Sequence, residues 1–371
     1  MVHQYKSNGY NIVLDVCSGS VHVVDDLVYD IIANYENHTK EQVMELLPSY
    51  DKDEVSEAYD EVTGLVEDGT LFTEDIFKDY IIDFKKRKTV VKALCINIAH
   101  DCNLACRYCF AGEGEYKGDR GLMPLDIAKK SLDFLVANSG NRVNLEVDFF
   151  GGEPLMNWDV VKETVRYGRS LEEKHNKKFR FTLTTNGVLL NDEVMEFANK
   201  EMANVVLSID GRKEIHDYMR PTRNGKGSYD LLLPKSREFA KKRAGKSYYV
   251  RGTYTHNNLD FSKDVLHMAD LGFDQISIEP VVSLPDEPYA IKEEDIPYLL
   301  DQYDILAKEM IKRHKEGRGF NFFHFMIDLT GGPCVAKRGV VQVQNICQLH
   351  HGATFIRAIS LSVRMGSALE M

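Results

Sequence analysis

Three cysteines fall within eight residues, Cys102, Cys106 and Cys109 in the stretch "HDCNLACRYCF", spaced C-x3-C-x2-C. Thiolates at that spacing on a loop after a strand can turn toward one point. A closed zinc site wants four protein ligands, and nearby His100 lacks the usual spacing for the fourth. Thiolates are also the ordinary ligands of iron-sulfur clusters, and three of them on a four-iron cluster leave one iron open to a small molecule. On spacing alone an iron-sulfur site, a zinc site and plain structural thiols all stay open. Cys95 and Cys17 read as small buried apolar residues outside this group. Seven cysteines are an odd number, a poor basis for a disulfide framework, and the start "MVHQYKSNGY" lacks the apolar stretch of a secretory signal. A reducing cytoplasm is the expected setting.

Polar residues recur where strands should end. Gly151, Gly152 and Glu153 follow one predicted strand, Thr184, Thr185, Asn186 and Gly187 a second, and Ser208, Asp210 and Gly211 a third. In α/β barrels sites are built at that end of the strands. The strands are "ALCINIA", "NLEVDFFG", "RFTLTTNG", "NVVLSIDG", "YYVRGTYT" and "QISIEPVV". Between them "PLDIAKKSLDFLVAN", "WDVVKETVRYGRSLEEKH", "LNDEVMEFANK", "YDLLLPKSREFAKKRA" and "NLDFSKDVLHMADLG" read as helices, with Pro234 expected to shorten or kink the fourth. Alternating units of this kind predict parallel strands joined by crossovers, here a partial (β/α)6 TIM-like barrel over residues 93–320.

Residues 1–82 have a different texture. "YNIVLDV" and "SVHVVDD" are β-prone, "TKEQVMELL" and a run from Asp53 are helical, and "TLFTED" reads as a short strand or wing. The layout suits a winged-helix-like recognition domain; a simple N-terminal cap on the barrel is the alternative. The basic run "DFKKRKTVV" places a linker at 83–92. The net charge of −11 argues against a general nucleic-acid surface, and no apolar run approaches the roughly 20 residues that span a bilayer.

With these residues laid out, "CNLACRYCF" resembles the signature of the radical S-adenosylmethionine superfamily. The resemblance implies one 4Fe-4S cluster on Cys102, Cys106 and Cys109, whose open iron takes the amino and carboxylate groups of S-adenosylmethionine. Reductive cleavage then yields a 5'-deoxyadenosyl radical that takes hydrogen from a substrate. Gly151, Gly152 and Glu153 of "GGEP" match the motif that receives the cofactor's amino group. Ser208 and Asp210 match positions near its ribose, and Asn186 lies near the same face. Arg251 is the candidate for its carboxylate, because a guanidinium can grip it bidentately. Tyr108 and Phe110 would close the cluster loop. "GRKEIHDYMRP", with His216, resembles the superfamily's "G..e.HD..R" loop; Asp217 and Arg220 are expected to order it at the substrate entrance, with helix capping and surface ion pairing as the alternative.

The N-terminal stretch, the barrel motifs and "GGPCVAKR" at 331–338 together resemble maturases that install thioether cross-links in short cysteine-rich ribosomal peptides. The resemblance implies a leader peptide bound to residues 1–82 as an added strand, a Cys-to-Thr-type cross-link, and a flavodoxin or ferredoxin as electron donor in an anaerobe. An anaerobic sulfatase maturase, which makes formylglycine, is the nearest alternative, and a non-catalytic iron-sulfur protein another. That family continues into a domain with two auxiliary 4Fe-4S clusters, assigned here to start at 321–338 with Cys334 as a first ligand. After Arg338 the resemblance ends: only Cys347 follows, too few thiols for such a cluster. A one-base shift of frame with suitable codons restores a "GDLYPCH" segment, so residues 339–371 are expected to be an aberrant, poorly ordered tail. Cys347, His350 and His351 there are not read as a metal site, and a chain shortened in this way is open to having lost full activity.

Overall fold

A computed structural model describes residues 1–76, 90–116, 118–243, 245–329, 346–349 and 355–357. They fall into two compact units, one led by residues 1–76 and the other by residues 90–325.

The first unit is a three-stranded antiparallel meander, β1 (Val2–Ser7), β2 (Tyr10–Asp15) and β3 (Val21–Val24), followed by α1 (Asp26–Tyr35), α2 (Lys40–Leu46) and α3 (Lys52–Glu67). Each helix starts at a polar cap: Asp25, Thr39 and Asp51 accept from backbone N–H groups of the first turn, which fills donors that no helical carbonyl can reach. Val13, Ile31, Ile32, Val43, Val55 and Val62 form its core. The strand β1 and helix α1 go beyond the sequence expectation. "TLFTED" is no strand: Phe72 has a φ of 52°, which an extended chain cannot accommodate, and the segment is tied down where Thr73 donates its N–H and hydroxyl to buried Asp15.

The second unit is an open sheet. Its strands are β4 (Ala93–His100), β5 (Gly121–Leu122), β6 (Asn144–Gly151), β7 (Lys178–Thr185), β8 (Met202–Ser208), β9 (Ser247–Tyr254), β10 (Gln275–Pro280), β11 (Asn321–Phe322), β12 (Ile346–Leu349) and β13 (Phe355–Arg357). The order is β11-β10-β9-β8-β7-β6-β4-β12-β13, parallel from β11 through β12, with β5 antiparallel on β4. The helices are α4 (Leu125–Asn138), α5 (Trp158–His175), α6 (Asp192–Glu201), α7 (Lys213–Met219), α8 (Tyr229–Lys242), α9 (Phe261–Asp270) and α10 (Ile296–Lys315). All six expected strands and five expected helices are present. The helix α8 continues through Pro234 to Lys242, so the expected shortening does not occur. Of the tail, the described parts are β12, parallel to β4, and β13 paired to it; Cys334, His350, His351 and most of the basic linker lie outside the described residues.

Alternation along the strands divides the sheet into two faces. Leu94, Ile96 and Ile98, Leu145, Val147 and Phe149, and Phe179, Phe181 and Leu183 are buried in the main apolar core. The intervening residues belong to the other face, and they include Asn97, Asp148, Thr182, Thr184, Ser208 and Arg251. A polar inner wall is what a packed barrel core would exclude, and it leaves room for a ligand.

Candidate functional site

The cysteine loop leaves β4 and is strapped to the chain that follows α7. Ala105 N–H donates to the Pro221 carbonyl and Arg107 N–H to the Met219 carbonyl, while Leu104 bridges Thr222. The Arg223 guanidinium holds the Cys102 carbonyl and the Asp101 carboxylate, and Arg107 reaches the Tyr218 carbonyl at 2.6 Å. The "HDYMRPTR" segment, expected at a substrate entrance, thus fixes the shape of the cysteine loop.

Cys102, Cys106 and Cys109 line one cavity of about 140 Å³, together with Tyr108, Phe110, Gly151, Gly152, Glu153, Thr184, Asn186, Ser208 and Arg220. Seven of the nine residues expected to hold the cofactor are among its walls. Burial pushes the Cys102 thiol up to about 12 and the Cys106 thiol up to about 11, so both keep their protons in the metal-free protein, and a metal would have to displace them. Cys102 Sγ accepts from Leu104 N–H at 3.5 Å and from Asn186 Nδ2 at 3.6 Å. Phe110 is 69% exposed and stands at the rim, stacked on Phe150 and edge-on to Tyr116. Cys95 lies on β4, paired in register with Asp148, outside the cavity wall.

Glu153 is buried, and burial raises its carboxyl against three donors: Leu155 N–H at 3.0 Å, the Thr185 hydroxyl at 2.7 Å and Asn186 N–H at 2.8 Å. Two of these fall on Oε1 and one on Oε2, which leaves acceptor capacity for a cationic ligand. The glycines beside it serve packing. A Cβ on Gly152 would stand 2.1 Å from the Asp101 carbonyl oxygen, and one on Gly151, whose φ is 126°, would stand 2.4 Å from that of Ala99.

Asp210 and Arg251 do not line the cavity. Asp210 is fully buried behind Tyr108, whose hydroxyl donates to it at 2.7 Å while accepting from Arg220 Nη1 at 2.8 Å. Thr253 N–H also reaches Asp210, and burial pushes its carboxyl up to about 6 despite Arg220. His216 is held by the same network: its Nδ1 accepts from Asp210 N–H, and its Nε2 donates to the Ser228 hydroxyl, which donates to the Arg220 carbonyl. Arg251 stands on β9 opposite Ser208, exposed toward the interior face. In its place, Arg220 presents an Nε–H with no hydrogen-bond partner inside the site. Its only sequence signal was its place in the "HD..R" spacing.

Among the described residues no three Cys, His, Asp or Glu side chains converge as a single metal ion demands. A polynuclear cluster takes one thiolate on each of several irons and so needs its sulfurs further apart. Three thiols around one cavity, an open carboxylate position on Glu153 and an unpartnered guanidinium N–H form a donor set that fits an iron-sulfur cluster with a zwitterionic ligand beside it.

Residues 96–243 match a family model described as the Radical SAM superfamily. An uncharacterized protein of Methanocaldococcus jannaschii is 28% identical over 232 residues, covering 61% of this chain and 77% of that one. The cysteine-type anaerobic sulfatase-maturating enzyme of Clostridium novyi is 31% identical over 140 residues, 36% of each chain; this chain therefore spans about a third of that enzyme. Among solved structures, native anSMEcpe with bound AdoMet superposes with a TM-score of 0.59 at 20% identity, covering 72% of this chain and 74% of that one. Streptococcus suis SuiB bound to S-adenosylmethionine gives 0.50 at 15% identity, covering 96% of this chain and 81% of that one. These structures share its fold.

Proposed function

We propose, from the match of residues 96–243 to the Radical SAM superfamily model, that this chain modifies a cysteine-containing ribosomal peptide, closing a Cys-to-Thr-type thioether. The observation that carries the reading is the common cavity of Cys102, Cys106 and Cys109 with Glu153, Asn186 and Ser208 at successive strand ends. When bound, the cluster supplies the electron that cleaves S-adenosylmethionine. Cys102, Cys106 and Cys109 would hold it; Glu153 would take the ammonium group of the methionine part of S-adenosylmethionine, and Asn186 and Ser208 would line its place. Tyr108, Asp210 and Arg220 keep the loop in register through bonds that are already formed, so little reorganisation is needed on binding. Phe110 and Phe150 screen the mouth from water. The N-terminal unit, with its exposed β1 and β3 flanks, provides a strand edge for an extended leader.

The test is anaerobic reconstitution with iron and sulfide, then reduction and addition of S-adenosylmethionine. Formation of a 4Fe-4S spectrum and of 5'-deoxyadenosine is the expected result; a folded, cluster-bound protein that yields no 5'-deoxyadenosine overturns the reading. A second reading, a formylglycine-forming activity, is favoured by the 31% identity to the Clostridium novyi enzyme. The product separates them: a cross-link removes two hydrogens and keeps sulfur, whereas formylglycine from cysteine exchanges sulfur for oxygen.

A further inference from the structure

Three acidic residues on β6, β8 and the turns that follow them are treated differently by their surroundings. Glu153 takes three donors, and Asp210 takes the Tyr108 hydroxyl and Thr253 N–H with Arg220 at 3.8 Å. Asp148 has a single long contact, from the Thr184 hydroxyl at 3.4 Å. It sits on the inner face of β6, in register with Cys95 on β4 and Thr182 on β7. Two residues further on, Phe150 lines the cysteine cavity, as does Thr184. The side chain keeps partial access to the interior, and the charged or titratable groups that face it are Cys95, Tyr249 and Arg251. Most of its acceptor positions are therefore open on the inner face of the sheet, next to two residues that line the cavity.

We propose that Asp148 is the proton acceptor for a peptide thiol delivered to the barrel interior beside the cysteine-lined cavity. The proposal rests on the peptide-modifying reading above. In this step the S–H bond breaks as an O–H bond forms on Asp148; the electron pair stays on sulfur as thiolate, and nothing is oxidised or reduced. Arg251 steadies both the carboxylate before transfer and the thiolate after it. Burial pushes the Asp148 carboxyl up to about 7, close to the roughly 8.5 of an ordinary thiol. An ordinary carboxylate, near 4, is a far weaker base for that proton, and a threonine hydroxyl lies out of reach of either. A cysteine thiol is the acidic group that the peptide-modifying reading would deliver beside the open acceptor positions of Asp148. Nothing in the sequence motifs singles out this aspartate; the inner-face position and the empty acceptor sites do.

The test compares wild type, Asp148→Asn and Asp148→Glu as full chains reconstituted with iron and sulfide. The first measurement needs no turnover: because Glu153 and Asp210 are also buried carboxyls with raised values, the readout is the wild-type-minus-Asp148→Asn infrared difference, expected to show a protonated-carboxyl band at pH 6 that titrates near 7. The second uses synthetic peptides containing cysteine and threonine. Asp148→Asn is expected to keep 5'-deoxyadenosine formation within about threefold while peptide modification falls about 100-fold or more, the usual cost of removing a general base, with partial recovery in Asp148→Glu. Modification by Asp148→Asn at the wild-type rate, or an infrared difference showing no such band, overturns the proposal and leaves the radical reading intact. Absence of 5'-deoxyadenosine from wild type itself overturns that reading and this one with it.

Discussion

Replacing Asp148 by asparagine should stabilise the protein at alkaline pH and leave it nearly unchanged at acid pH. An aspartate whose carboxyl lies at 3.8 when solvated is pushed up to about 7 by burial, against the Thr184 hydroxyl and the Arg251 charge. Below 3.8 both folded and unfolded chains carry the proton, and the group is neutral in its effect. Between 3.8 and about 7 the unfolded chain ionises first, so the folded chain binds more protons and stability falls as pH rises. Across that window the loss is about 4 kcal/mol at 1.36 kcal/mol per pH unit. Screening from the partly accessible interior reduces this to about 2 kcal/mol. Asparagine has the same shape, can still accept from Thr184, and carries no such cost. For a domain of this size about 2 kcal/mol corresponds to roughly 4–8 °C in melting midpoint. Thermal melts of both proteins at pH 5 and pH 8 measure it. The expected result is a gain at pH 8 that shrinks toward pH 5; a difference that is the same at both, or larger at pH 5, refutes the reasoning. A natural residue that costs stability at working pH is the pattern of a site residue retained for chemistry.

Tyr108→Phe removes the hydroxyl between the Asp210 carboxylate and Arg220 Nη1, two buried charge-assisted bonds; a loss of roughly 2–4 kcal/mol is expected in urea denaturation, with weaker binding of S-adenosylmethionine by calorimetry. Gly152→Ala drives a Cβ to 2.1 Å from the Asp101 carbonyl oxygen, a backbone atom at the root of the cysteine loop. Iron content after reconstitution should fall well below one cluster per chain, whereas Cys95→Ala should leave it intact. In the N-terminal unit, burial opposes ionisation of Asp15, yet the hydroxyl and N–H of Thr73 with the N–H groups of Ser18 and Cys17 hold its carboxyl below 3.8. That contribution is present above pH 3.8 and is lost as pH falls through the lower folded value. Asp15→Asn should accordingly cost about 2 kcal/mol at neutral pH and less at pH 3, read from melts of the full chain.

The parallel sheet was legible because its strands are apolar runs closed by glycine-bearing polar exits, and helices of 3.6-residue period separate them. The long helix α10 and the short β11 were not foreseen, nor were β1 and α1. The strands β1 and β11 are short and owe their form to the strands they pair with rather than to local preference; that reason does not extend to α10, whose 20 residues are long enough to carry a helical pattern. Pro234 shows the same limit: it forfeits the helical bond to the Asp230 carbonyl, yet α8 runs on through it, with Leu232 and Phe239 buried in the core.

At the site, the grouping of the three thiols was readable from spacing and the glycines and Glu153 from their place at a strand exit, while their roles came from the resemblance of "CNLACRYCF" and "GGEP" to known motifs. Their partners were not. Arg220 meets Tyr108 across 112 residues and Thr185 meets Glu153 across 32, and only the closing of the sheet brings such pairs together. Sequence alone determined which atoms could bind iron and which end of the strands would carry them, because residue type fixes donor chemistry and strand order fixes direction. The tertiary structure decided which guanidinium lines the cavity, that Asp210 stands behind Tyr108, and that Asp148 keeps its acceptor positions open. Those depend on burial and on distances across the sheet, which exist only once the chain has folded.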